Sequence, residues 1–258
     1  MRNLLYIEWI KYSRYRTMNV ILGGYVLLLS LIFVSFTELS FGPFELFSKE
    51  AFRFPYVWQN VAFLSKFLNL YLCIAVIFMV TNEFSYRTLR QQVIDGLSRK
   101  QIILSKSYVV LLLSLASTLM VFVIGVIMGL INSNVVSLSL FTARLDFVVA
   151  HFIHAFTLMS LAMLFSFLLK RNGLTVILFL TYAVFGEAII RNTLPGDFTL
   201  YFPVKILTNL NEYPSIEAFE NELQLGKDHV PVLNAAVGLG YGLIFQWASY
   251  WKVLKSDL

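Results

Sequence analysis

Polar and charged positions along this chain fall in short clusters between long apolar runs. A spanning helix needs about 20 mostly apolar residues. Runs of that kind cover 18–36, 57–81, 102–131, 147–169, 174–190 and 232–251. The fifth is short and ends in the polar stretch GEAIIRN, while the third exceeds a bilayer's need and predicts tilt or extension beyond the membrane. The expectation is an all-α polytopic membrane protein with about six transmembrane helices, forming a single transmembrane domain over 1–258.

Composition supports this reading. Of 258 residues, 58% are hydrophobic and only 14% charged, against roughly 25% charged in soluble domains; the mean hydropathy is +0.73. A soluble chain would need more polar residues to cover its core. The single Cys73 lies in an apolar run and offers neither a disulfide framework nor a thiolate metal site. The first apolar run continues too far for a signal-peptide core, and no small-residue cleavage site follows it, so the first span is expected to be retained.

Charge placement sets the expected orientation. One side collects Arg2, Lys11, Arg14, Arg16, Arg87, Arg90, Arg99, Lys100, Lys106, Lys170, Arg171, Lys252 and Lys255. The other has fewer bases and most of the acids, among them Glu38, Glu45, Asp146, Asp197 and Glu217. The alternation fits six spans with both termini in the cytosol. It also explains a pI near 9.2 without nucleic acid.

Two segments do not span. Residues 1–17 form an expected interfacial helix, with Leu5, Tyr6, Trp9, Ile10 and Tyr12 on its apolar side and Glu8, Lys11 and Arg14 opposite. Residues 192–231 form a long extracytoplasmic segment. Within it, 215–225 reads as a short acidic helix capped by Ser215, and 201–210 is apolar enough to dip into the interface.

The segment 82–106, NEFSYRTLRQQVIDGLSRKQIILSK, carries the functional argument. Leu89, Val93 and Leu97 recur every fourth residue, giving one apolar stripe on a helix of about three turns. Gly96 breaks it. Ser98 and Gln101 have capping-box spacing, with Leu97 and Ile102 placed as a hydrophobic staple. A short helix on the membrane face is thus joined by a sharp turn to a spanning helix, so a push on one moves the other.

Glu83, Thr88, Arg90, Gly96–Leu97–Ser98–Arg99 and Lys106 together resemble the cytoplasmic loop of type-2 ATP-binding-cassette (ABC) export permeases from bacteria. The layout is similar throughout: an interfacial N-terminal helix, six spans, this loop between the second and third, and a long outer segment before the last. Arg87 and Gly96 depart from the Gly and Pro frequent in that family. The resemblance implies that 83–99 is a coupling helix docking on a separate ATP-hydrolysing subunit through Glu83, Arg87, Thr88, Arg90, Gly96, Ser98 and Arg99. It further implies a complex of two permeases, identical or paralogous, with two ATPase subunits in the bacterial inner membrane. This chain would then bind no cofactor, leaving ATP and Mg to the partner. Consistently, it has no G-x-x-x-x-G-K-[ST] phosphate loop.

Other residues invite weaker roles. Glu187 and Arg191 are candidates for an outer gate or cargo contact, against a plain Glu–Arg pair four residues apart. Glu83 and Arg87 share that spacing and could pair likewise. Gly125 and Gly129 form a G-x-x-x-G suited to close helix packing, including at a subunit interface. Lys66 is expected to snorkel outward, and His151 and His154 lack partners at metal-ligand spacing. The competing readings are an ion-coupled secondary transporter, an intramembrane enzyme and a non-catalytic membrane scaffold. The first wants mid-span carboxylates and the second paired acids or a Ser/Lys dyad; neither set is evident.

Overall fold

A computed structural model of the chain describes residues 6, 8, 10–11, 15–38, 49–193, 197–211 and 229–255. Among these the structure is helical, with no strand. The expected acidic helix at 215–225 lies outside the described residues, as does half of the long segment 192–231.

We number the helices α1 (Arg16–Glu38), α2 (Val57–Ser85), α3 (Thr88–Ile94), α4 (Arg99–Asn132), α5 (Leu138–Thr142), α6 (Asp146–Leu169), α7 (Asn172–Thr181), α8 (Glu187–Thr193), α9 (Pro203–Leu210) and α10 (Val232–Lys255). A π-helical turn, Tyr182–Gly186, joins α7 to α8 within one span. Among the described residues, five segments are long and apolar enough to cross a membrane: Arg16–Val34, Val57–Ser85, Arg99–Asn132, Leu138–Leu169 and Asn172–Thr193. The sixth expected span, α10, has 24 residues but is less apolar. Its Gln246 is one reason, and that side chain is committed inward, donating to Ser160 Oγ at 2.8 Å and accepting from Ser107 Oγ at 2.7 Å. The lengths agree with the apolar runs, and the helices overrun them mainly where polar residues continue the turn pattern.

The bundle is built around α6, which is buried by α2, α4, α7, α9 and α10, while α1 packs on α2. Close approach of α10 to α6 rests on Gly238 and Gly242. A Cβ at Gly242 would sit 2.8 Å from Thr157 Oγ1 and 2.9 Å from the Phe156 ring, and one at Gly238 would sit 3.2 Å from Ile153 and Leu210. Thr157 Oγ1 also donates to the Gly238 carbonyl at 2.9 Å. The expected G-x-x-x-G of α4 packs differently from a subunit seam. Gly125 takes the ring of Trp58 and Gly129 that of Phe54, both from this chain. Trp58 is fixed there by stacking on Phe122 at 5.3 Å and by donating Nε1–H to the Phe141 carbonyl at 2.8 Å. The two glycines therefore serve a ring-into-groove contact inside the chain.

Charged groups sit at the two ends of this bundle. Lys11, Glu8, Glu83, Arg99 and Lys106 gather at one, and Arg144, Glu187 and Lys205 at the other. Lys66 lies towards the latter end, donating to the Asn211 carbonyl at 2.7 Å with its ammonium 4.1 Å from the Phe63 ring centre.

Candidate functional site

The loop between α2 and α4 is fixed by local backbone chemistry. α2 ends at Ser85, and Arg87 takes the left-handed conformation (φ 55°) that turns the chain into α3. α3 closes with Gly96 at φ 97°, where Gly96 N–H donates to the Val93 carbonyl and Leu97 N–H to that of Gln92. Those two bonds are a Schellman closure, which favours glycine at this position. Two residues later Ser98 caps α4: its Oγ accepts from Gln101 N–H at 3.3 Å, while Gln101 Oε1 accepts from Ser98 N–H at 2.9 Å. The expected capping box is present. The helix itself, Thr88–Ile94, is shorter than the 83–99 expected, because α2 extends through Glu83.

One side of α3 faces the protein and the other is open. Leu89 and Gln92 are buried, whereas Tyr86, Arg87, Arg90, Val93 and Ile94 are exposed, Ile94 by 69%. Val93 thus leaves the expected apolar stripe for the open side. Arg99 ties the start of α4 to the end of α10, donating to the Leu254 carbonyl at 3.0 Å. Thr88 is exposed, and its hydroxyl reaches the Glu83 carbonyl at 3.4 Å.

Glu83 does not pair with Arg87. It turns into a buried charge cluster centred on Lys106, whose side chain is 0% exposed. Lys106 Nζ donates to Glu83 Oε1 at 2.5 Å and to Glu8 Oε1 and Oε2 at 3.0 and 2.8 Å. Lys11 Nζ lies 3.2 Å from Glu83 Oε1 and 3.5 Å from Glu8 Oε1, and Ser105 Oγ donates to Glu8 Oε1 at 2.9 Å. Burial pushes the Glu8 carboxyl up, but the Lys106 and Lys11 charges and the bonds from Lys106 and Ser105 hold it below its ordinary value. Among the described residues two carboxylates and two ammoniums cancel, which is what makes their burial tolerable. The cluster joins Glu8 and Lys11 near the N-terminus to the end of α2 and the start of α4.

The sides expected for the N-terminal segment are kept apart: Glu8 is 3% exposed and faces the bundle, while Tyr6 and Ile10, expected on the opposite side, are exposed. Helical periodicity separates the two sides correctly, but only the distant Lys106 decides which of them packs. Next to the cluster, Asn82 accepts from Asn172 Nδ2 at 2.6 Å and donates to the Tyr15 hydroxyl at 2.8 Å, tying α7 and the entry of α1 to α2.

At the opposite end, Glu187 is 4% exposed and accepts from Val204 N–H at 2.7 Å and Lys205 N–H at 2.5 Å. These are free amides in the first turn of α9, so a carboxylate from another helix caps it. Tyr182 Oη reaches Glu187 Oε2 at 3.5 Å. Arg191 follows in the last turn of α8, and no ion pair joins it to Glu187 among the described residues.

Sequence reasoning passed over a polar layer between the two ends. Ser117 Oγ lies 2.7 Å from Tyr25 Oη, 3.3 Å from Asn69 Oδ1 and 3.1 Å from His151 Nε2, and Asn69 Nδ2 lies 3.0 Å from His154 Nδ1. It links α1, α2, α4 and α6 where apolar packing alone would leave their rotation loosely specified. No group of three or more His, Cys, Asp or Glu suited to a metal occurs among the described residues.

A profile of ABC-2 family transporter proteins matches residues 4–186, which include the N-terminal helix, the charge cluster and the α2–α4 loop. No curated protein matches the chain. With about seven-tenths of its length inside that profile, the chain belongs to the ABC-2 family of transporter proteins and is a membrane permease component of an ABC transporter.

Proposed function

We propose that the chain is the permease subunit of an ATP-driven exporter, acting throughout 1–258 as one unit. It pairs with a second permease, identical or paralogous, and is driven by separate subunits that bind ATP and Mg; this chain itself binds neither. Family membership implies an ATP-binding cassette partner in general, and α3 is where we place its contact. Tyr86, Arg87, Arg90, Val93 and Ile94 form the docking face, and both termini lie in the cytosol of a bacterial inner membrane.

One observation carries the proposal: α3 has an open apolar and basic side and is joined by short turns to two spans. Leu89 and Gln92 anchor its inner side, and the capped turn at Gly96–Ser98 passes displacement directly to α4. In this role Glu83, Gly96, Ser98 and Arg99 act behind the docking face. Glu83 holds α2 to α4 through Lys106, while Gly96 and Ser98 shape the turn and Arg99 links it to α10. Glu187 anchors the outer segment by capping α9, so motion of α8 and α9 at that end is coupled.

Affinity purification of the tagged chain from its native membrane in mild detergent tests the reading. An ATP-binding subunit should co-purify, and Ile94→Asp should remove it without changing the yield of folded permease. Recovery of the wild-type chain without any such subunit would overturn the proposal.

A further inference from the structure

A groove of about 190 Å³ opens beside the charge cluster, between Lys11, α1 and α2. Its floor is apolar, made by Met18, Ile21, Phe78 and Met79, and its rim carries Lys11 and Glu83. An engineered apolar cavity of about 150 Å³ admits benzene, so this floor can hold a stretch of one acyl chain. Floor and rim lie where two spanning helices reach the membrane boundary, the level at which a lipid passes from tail to headgroup.

The rim is specific in charge. It presents an ammonium and a carboxylate, Lys11 Nζ and Glu83 Oε1, 3.2 Å apart. Lys11 is partly exposed, while Glu83 Oε2 is buried and accepts no hydrogen bond among the described residues. A zwitterionic headgroup bearing a phosphate and a primary ammonium complements both signs, with phosphate toward Lys11 and N–H donors toward Glu83. A choline headgroup has no N–H to donate, and a glycerol headgroup has no cation. Each would leave one side of the rim unanswered.

We propose that this groove is a binding site for one aminophospholipid from the adjoining leaflet, its ammonium on Glu83, its phosphate on Lys11, and an acyl chain on Met18, Ile21, Phe78 and Met79. The bound lipid then spans the N-terminal helix and the end of α2. Leaflet composition would therefore bear on how firmly the element behind α3 is held. The proposal rests on the membrane placement of these helices and does not require the ATP-driven reading.

Native mass spectrometry of the purified full-length chain, with phosphatidylethanolamine, phosphatidylcholine and phosphatidylglycerol supplied separately, tests it. One phosphatidylethanolamine should be retained per chain, with about tenfold preference over either other lipid, the worth of one charge-assisted hydrogen bond. Met18→Trp, which fills the floor, should abolish the preference, while Leu112→Trp, on an exposed face of α4, should leave it intact. Equal retention of the three lipids, or an unchanged preference in Met18→Trp, would show ordinary annular lipid and overturn the site. Photocrosslinking of the wild-type chain with a diazirine-tailed phosphatidylethanolamine gives a check independent of variant folding. Adducts should concentrate at 18–22 and 78–79, and an even spread over the exposed faces of α1, α4 and α7 contradicts the proposal.

Discussion

Lys106→Met is the most informative single change. Lys106 is fully buried and contacts three carboxylate oxygens, at 3.0, 2.8 and 2.5 Å. Removing it leaves Glu8 and Glu83 facing each other, with the partly exposed Lys11 as the remaining cation of the cluster among the described residues. Breaking a buried pair in this way costs about 3–5 kcal/mol, chiefly from the uncompensated charge left behind. On the scale of domains this size, that lowers a thermal midpoint by about 6–20 °C. The chain supplies its own reporter: Cys73 is its one cysteine and is buried, so a thiol-reactive fluorophore reads unfolding in detergent. The double variant Lys106→Met/Glu83→Gln keeps Glu8 opposite Lys11, removes one charge of each sign, and should recover most of the loss. A shift below about 1 kcal/mol in Lys106→Met would mean that the cluster behaves as a surface pair. Additive losses in the double variant would equally refute the coupling argued here.

Further outcomes follow from the same geometry. The Glu8 carboxyl titrates below its ordinary value of 4.5, so its contribution is complete above that pH and is lost as pH falls through the lower folded value. The wild-type midpoint should therefore drop on acidification below 4.5, and Glu8→Gln should flatten that part of the profile. Glu187→Ala leaves the Val204 and Lys205 amides uncapped. Hydrogen exchange should then rise in α9 while α3 stays unchanged, with a loss of about 1–2 kcal/mol. Gly242→Leu drives a side chain into Thr157 and Phe156 and should cost at least about 1–3 kcal/mol by the Cys73 assay. Gly240→Leu, on the same helix with open space around it, should be far milder.

What the sequence reveals here is what is local in the chain. The apolar runs give the spans because a bilayer demands uninterrupted length. The turn at Gly96–Ser98 is readable because both its Schellman glycine and its capping box lie within six residues. The charge cluster is not readable in the same way. Glu8 and Lys106 are 98 positions apart, and nothing near either names the other. Reading Glu83 with its neighbour Arg87 followed a helix rule that holds only while both face solvent. The two G-x-x-x-G spacings show the same limit. Gly125/Gly129 and Gly238/Gly242 look alike in sequence, yet the first receives aromatic rings and the second lets α10 close on α6. Glu187 could be suspected of function, but its partners are backbone amides of α9, invisible to any side-chain pattern.

The central claim is that the open side of α3 meets an ATP-binding subunit. Replacing Ile94 by a photoreactive phenylalanine analogue and irradiating native membranes tests it at a single residue that is 69% exposed. The account predicts one dominant protein adduct, to an ATP-binding subunit, lost when the same probe replaces buried Leu89. Adducts confined to lipid, or to a protein without an ATP-binding site, would contradict it.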